Sequence, residues 1–149
     1  MSVHVDIVVA VCFLLAAAIT DLRWREIPDV IPVGLLAWGV GTAALGFGLV
    51  GPWLSLVGAV GGLGAGLLLF RLGGLGGGDV KLVAGLGAVL GPLGLLLALR
   101  WIGIAGGLVA CLAALRGKRD LAYAPAIAAG LIVQAAIDWS GGMLHAPQA

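Results

Sequence analysis

The chain is poor in charge: 10% of its 149 residues are Asp, Glu, Lys or Arg, against 62% that are hydrophobic. A water-soluble domain of that length cannot bury so much apolar surface, so the expected solvent is the lipid bilayer. Cysteine is nearly absent. Cys12 and Cys111 each fall inside an apolar run and form no CxxC pair, which excludes a disulfide framework or a zinc-thiolate site and leaves both as packing residues. The two histidines, His4 and His145, lie near opposite ends of the chain, so no metalloprotease or histidine-assisted nucleophile is indicated and no cofactor or metal is expected. The only dense basic cluster, Arg116-Gly117-Lys118-Arg119, has no interleaved aromatics and sits between apolar runs, so no nucleic-acid partner is expected. The first residues lack a basic n-region and a small-residue cleavage site, so the first apolar run reads as a retained helix.

Apolar runs cover roughly 5–20, 30–50, 53–71, 80–98, 101–115 and 121–138. They are continuously Leu, Val, Ala and Gly, without the alternation of a membrane barrel, so each reads as a helix. The expectation is an all-α polytopic protein of about six transmembrane helices. It forms a single domain over 1–149, with no separate soluble domain. Arg23 and Arg25 follow the first run, Arg71 and Lys81 flank the third connector, and Arg116, Lys118 and Arg119 follow the fifth. By the positive-inside rule these connectors face the cytoplasm and both termini lie outside. Arg100 breaks the scheme: either Arg100-Trp101 is itself an outer turn, or the fourth helix stops at Gly91-Pro92 and Arg100 snorkels from the fifth. Glycines at four-residue spacing, Gly58, Gly62 and Gly66 and again Gly103 and Gly107, are expected to let helices approach closely. No repeat of fixed period suggests an inverted-repeat transporter.

With only seven acidic residues, each carboxylate can be weighed singly. Asp21 closes the first run and Asp79 opens the fourth, so the topology puts both at one membrane boundary. A carboxylate at such depth is a functional candidate by default. Taken alone, Asp21 also reads as a charge paired with Arg23 or Arg25, and Asp79 as a cap on the fourth helix. The run Gly73-Gly74-Leu75-Gly76-Gly77-Gly78 leads directly onto Asp79, and such a run lets backbone approach both the carboxylate and an extended substrate.

Gly76-Gly77-Gly78-Asp79 resembles the GxGD signature of membrane aspartyl proteases. The wider pattern resembles the type IV prepilin peptidases: Asp21-Leu22-Arg23-Trp24-Arg25-Glu26-Ile27-Pro28, then Gly76 to Leu82 as Gly-Gly-Gly-Asp-Val-Lys-Leu, then Tyr123-Ala124-Pro125-Ala126 with Gly130. Asp29 departs from the Asn usual after Ile-Pro in that family. The short connector between the first two runs departs too, because larger members carry there a CxxC-bearing domain linked to N-methylation. The resemblance is therefore to a peptidase-only form, like those of tight-adherence (Flp-type) pilus systems, with no methyltransferase domain.

The resemblance implies an aspartic endopeptidase of the bacterial inner membrane that cleaves the short basic leader of a prepilin after a glycine, at the cytoplasmic face. Asp21 and Asp79 would be catalytic, with the assignment of base and acid open. Gly76, Gly77, Gly78, Lys81, Ile27 and Pro28 would support the site or bind substrate. The partners are a prepilin and the bilayer. Two other readings stand beside it: a small ion- or proton-coupled transporter subunit, and a structural component of a pilus or secretion apparatus. Neither requires Asp-then-Ile-Pro and GxGD on one membrane face.

Overall fold

A computed structural model describes residues 2–72, 75–115 and 124–141. Among these, every regular element is helical: α1 (Ser2–Trp24), α2 (Val30–Ala44), α3 (Pro52–Arg71), α4 (Gly77–Leu115) and α5 (Ala124–Gly141). Gly73, Gly74, Arg116 to Arg119, Tyr123 and His145, to which the sequence drew attention, lie outside the described residues, as do the side chains of His4, Cys111 and Pro125. Parts of α1, α3 and α4 are each long and apolar enough to cross a membrane. Their outward faces carry large apolar side chains such as Leu15, Ile19, Val60 and Leu68. This is a membrane protein.

Among the described residues there are five helical elements, and the fourth holds two helical limbs joined across a kink that falls inside the fourth apolar run. α4 passes unbroken through Arg100 and Trp101 and is interrupted instead at Gly91, with φ 69° and ψ 179°. Only glycine takes that backbone readily, and Pro92 then starts the second limb where its missing N–H does no harm. The tip of Leu95 comes to 3.1 Å from where a Cβ on Gly87 would stand. Eight residues of straight helix would separate the two Cα atoms by about 12 Å, so the limbs 77–90 and 92–115 meet at a sharp bend.

The second apolar run also ends early. The Gly46 N–H bonds the Ala43 carbonyl and the Phe47 N–H bonds the Thr42 carbonyl, with Gly46 at φ 74°. This Schellman arrangement stops α2 at Ala44, although apolar residues continue to Val50.

α4 is the centre of the bundle, packing against α3, α2 and α5, while α1 packs on α5 and α2. Leu14, Leu35, Leu82, Leu86, Ile127 and Leu131 are its largest fully buried apolar side chains. The α3–α4 seam is built on the glycine stripe. A Cβ on Gly58 would collide with the Gly87 carbonyl, and one on Gly62 would stand 2.6 Å from the Val83 oxygen. On the same face the buried Ser55 hydroxyl donates to the Ala88 carbonyl at 2.7 Å. Among the described residues, in contrast, a Cβ on Gly103 or Gly107 would meet nothing within 4 Å, while one on Gly130 would stand 2.6 Å from Ile102 across the α4–α5 contact. Cys12 lies on the exposed face of α1 rather than in the packing.

One buried polar contact had no sequence signal. Asp6, 2% exposed in α1, accepts a hydrogen bond from the Trp38 indole of α2 at 3.0 Å. Removing a partner leaves a buried donor or acceptor unsatisfied, which costs about 1–3 kcal/mol. Asp6→Leu is therefore expected to lower the detergent-solubilised melting temperature, and Trp38→Phe in that background to lower it little further.

Candidate active site

Two helix ends and one connector build the site. α1 ends at Trp24, where the Arg25 N–H reaches back to the Asp21 carbonyl at 2.9 Å and Arg25 adopts φ 58°. A left-handed arginine is an unfavourable backbone state, held here because it turns the chain directly from the last turn of α1 into the connector. In that connector Ile27 packs against Gly78 so closely that a Cβ on Gly78 would lie 2.9 Å from the isoleucine Cβ. Pro28 and Asp29 offer their carbonyls to the Ile31 and Val33 N–H groups and lead into α2.

The opposite wall is the start of α4. Asp79 is its third residue, and its Oδ2 accepts the Gly76 N–H at 3.2 Å. That is the backward half of a capping box: Asp79 is not itself the N-cap, the position its place in the sequence suggested, but bonds the N–H of Gly76, which is. The bond occupies only one oxygen. Asp79 is 5% exposed, and its Oδ1 is buried with no hydrogen-bond partner.

Between these walls lies an open cleft of about 400 Å³ lined by Asp21, Arg25, Glu26, Ile27, Pro28, Asp29, Gly76, Gly77, Gly78 and Asp79. Asp21 and Asp79, far apart in the chain, thus face one cavity. Of the three glycines, Gly78 is taken up by Ile27 and Gly76 by Asp79, while a Cβ on Gly77 would meet nothing within 4 Å. Among the described residues, Gly77 is the one of the three beside which the cleft stays open.

Lys81 stands elsewhere. It does not line the cleft; its Nζ pairs with Asp29 Oδ1 at 2.6 Å, and its stem lines an apolar groove with Pro32, Val33, Leu36, Ala59, Val60 and Leu63. Two residues after Asp79 on a helix, a side chain is turned about 200° from the carboxylate, which is why Lys81 and Asp79 face apart. The pair is half exposed and contributes no more than about 1 kcal/mol, but it ties the connector to α4. Asp29, whose departure from Asn put only local contacts in doubt, is the anchor. Glu26 and Arg25 complete the lining without having been singled out as site residues; their place between Asp21 and Ile27-Pro28 was the available signal.

The sequence model of the type IV leader peptidase family matches residues 8–111. The chain belongs to this family. The matched stretch contains every residue lining the cleft. Among curated proteins, the prepilin leader peptidase/N-methyltransferase of Bacillus subtilis (strain 168) is 34% identical over 136 residues, which are 85% of this chain and 53% of that protein. The chain spans about half the length of this family relative. No solved structure matches it.

Proposed function

We propose that the protein is a prepilin leader peptidase that hydrolyses one peptide bond with Asp21 and Asp79. The observation that carries this reading is the meeting of the two carboxylates at one open cleft, with a buried, unpartnered Asp79 Oδ1 on its wall. The chemistry calls for one of the two carboxyl groups ionised and the other protonated. The ionised partner takes a proton from water as the water oxygen bonds to the scissile carbonyl carbon. The protonated partner gives its proton to the carbonyl oxygen, forming a neutral diol. Collapse of the diol breaks the C–N bond: one hydroxyl returns its proton to the second carboxylate as the carbonyl re-forms, and the leaving nitrogen takes up the proton that the first carboxylate had gained.

Family membership supports the substrate: a type IV prepilin, Flp-type, whose short basic leader precedes an apolar helix. The positive-inside pattern supports a cytoplasmic cleft, outward termini and an inner-membrane location. Six passes follow if each limb of α4 crosses separately. The connector from Arg25 to Asp29 is too short for a methyltransferase domain, which supports a peptidase without methyl transfer.

The test is co-expression with candidate prepilins, reading the N-terminus and mass of each pilin. A pilin shortened by its leader only when this protein is present supports the proposal. No shortened pilin, with the protein abundant in the membrane, overturns it in favour of a transport or structural role.

A further inference from the structure

Among the described residues four carboxylates line the cleft, Asp21, Glu26, Asp29 and Asp79, against one guanidinium, Arg25. Asp29 is neutralised by Lys81. Asp21 and Asp79 form the proposed catalytic pair. Glu26 remains: an exposed carboxylate with no ion pair or hydrogen bond among the described residues, on a connector held on one side by the Arg25 turn and on the other by Ile27 against Gly78. Its backbone is fixed while its charge is unspent. Asp79, which lines the same cleft, is 5% exposed and its Oδ1 is buried with no hydrogen-bond partner among the described residues, an unmet acceptor beside the cavity. Among the described residues no three His, Cys, Asp or Glu side chains converge closely enough to hold a metal ion. The negative charge is therefore distributed along the cleft, matching positive charges spread along a peptide rather than a single cation.

We propose that Glu26 is a specificity-determining residue that reads positive charge in the substrate segment beside the scissile bond. The assignment rests on the peptidase reading of the cleft. Arg25, next to it, sets the opposite preference and narrows the position at which a cation is accepted. Because Glu26 is exposed, its attraction acts on substrate capture and is weakened by salt.

The experiment measures kcat and KM for wild type, Glu26→Gln and Glu26→Lys. Each is assayed with a prepilin bearing its basic leader and with the same prepilin whose leader Lys and Arg residues are replaced by Glu. One charge pair across water at contact distance supports about a 5-fold rise in KM for Glu26→Gln and about 20-fold for Glu26→Lys, with kcat within about twofold and the differences shrinking in high salt. Glu26→Lys is expected to cleave the charge-reversed prepilin better than wild type does, a rescue that a structural role would not produce. Equal KM values, or no rescue, overturn the assignment while leaving the peptidase reading intact. A second arm measures fluorescence anisotropy of a labelled tri-lysine peptide on the purified wild type and Glu26→Lys. Weaker binding to Glu26→Lys with no prepilin cleaved by any protein would sink the peptidase reading and the specificity role with it, leaving Glu26 as a cation-attracting group; equal binding there would remove that as well.

Discussion

Asp21→Asn and Asp79→Asn are each expected to reduce leader cleavage by about 10²–10⁴-fold, the usual contribution of a positioned acid or base, with both variants reaching the membrane at the wild-type level. The substitution at Asp79 separates chemistry from folding. An Asn at this position keeps a side-chain oxygen for the Gly76 N–H, so the start of α4 stays capped, yet it can neither accept the proton of water nor give one to a carbonyl. An Asn at Asp21 keeps size and polarity in the same way. The measurement is the ratio of mature to precursor pilin beside membrane abundance, followed by the double variant. Residues acting as one unit lose most of their effect together, so Asp21→Asn with Asp79→Asn should fall little below either alone. Cleavage persisting at more than about a tenth of the wild-type rate in either single variant would remove that residue from the chemistry.

The second large effect concerns assembly. Gly62→Leu is expected to abolish accumulation of folded protein, whereas Gly61→Leu, one residue away, should be tolerated. A side chain at Gly62 meets the Val83 oxygen at 2.6 Å and the Ala84 Cα at 3.1 Å. These are backbone atoms in the middle of α4, so relief requires the two helices to part. Overpacking a seated core typically costs about 1–3 kcal/mol, and separating a seam that also carries the Ser55–Ala88 hydrogen bond exceeds that range. A side chain at Gly61 meets nothing within 4 Å, and replacing a helical glycine removes a penalty of about 1 kcal/mol. Abundance and thermal aggregation of the detergent-solubilised variants check the pair. Equal behaviour of the two would mean that the α3–α4 seam is not formed as described.

The sequence made this helical membrane fold and the two aspartates legible for different reasons. Continuous apolar runs can only be helices in lipid, so α3 was readable to within a residue, and α1 to within three or four residues at each end. Asp21 and Asp79 stood out because charge is so rare here. The ends of α2 and of the first limb of α4 were harder to place. Hydropathy does not distinguish an apolar helix from an apolar turn, and Gly46 and Gly91 act through backbone dihedrals, with 27 glycines in the chain to choose among. Of the two readings that Arg100 left open, the structure has the second: the helix breaks at Gly91-Pro92, and Arg100 is an exposed side chain of the following limb, stacked near Trp101. Lys81 was read next to Asp79 because they are neighbours in sequence, whereas helical geometry turns it toward Asp29. Asp6 gave no sign, since its partner Trp38 is on another helix and a lone acid near the start of a run resembles a boundary charge.

The early stop of α2 has a consequence for the lipid. Its 15 residues rise about 22 Å and the first limb of α4 about 21 Å, against a hydrocarbon slab of about 30 Å. α1 and α3, with 23 and 20 residues, match that slab. The two short elements flank the aspartates, so the protein is thinnest at its reactive edge. Lipid there must dimple inward to follow it, at fractions of a kcal/mol per ångström. On the proposed peptidase reading, a bilayer thinned at this edge would bring headgroups and their water toward the two carboxylates.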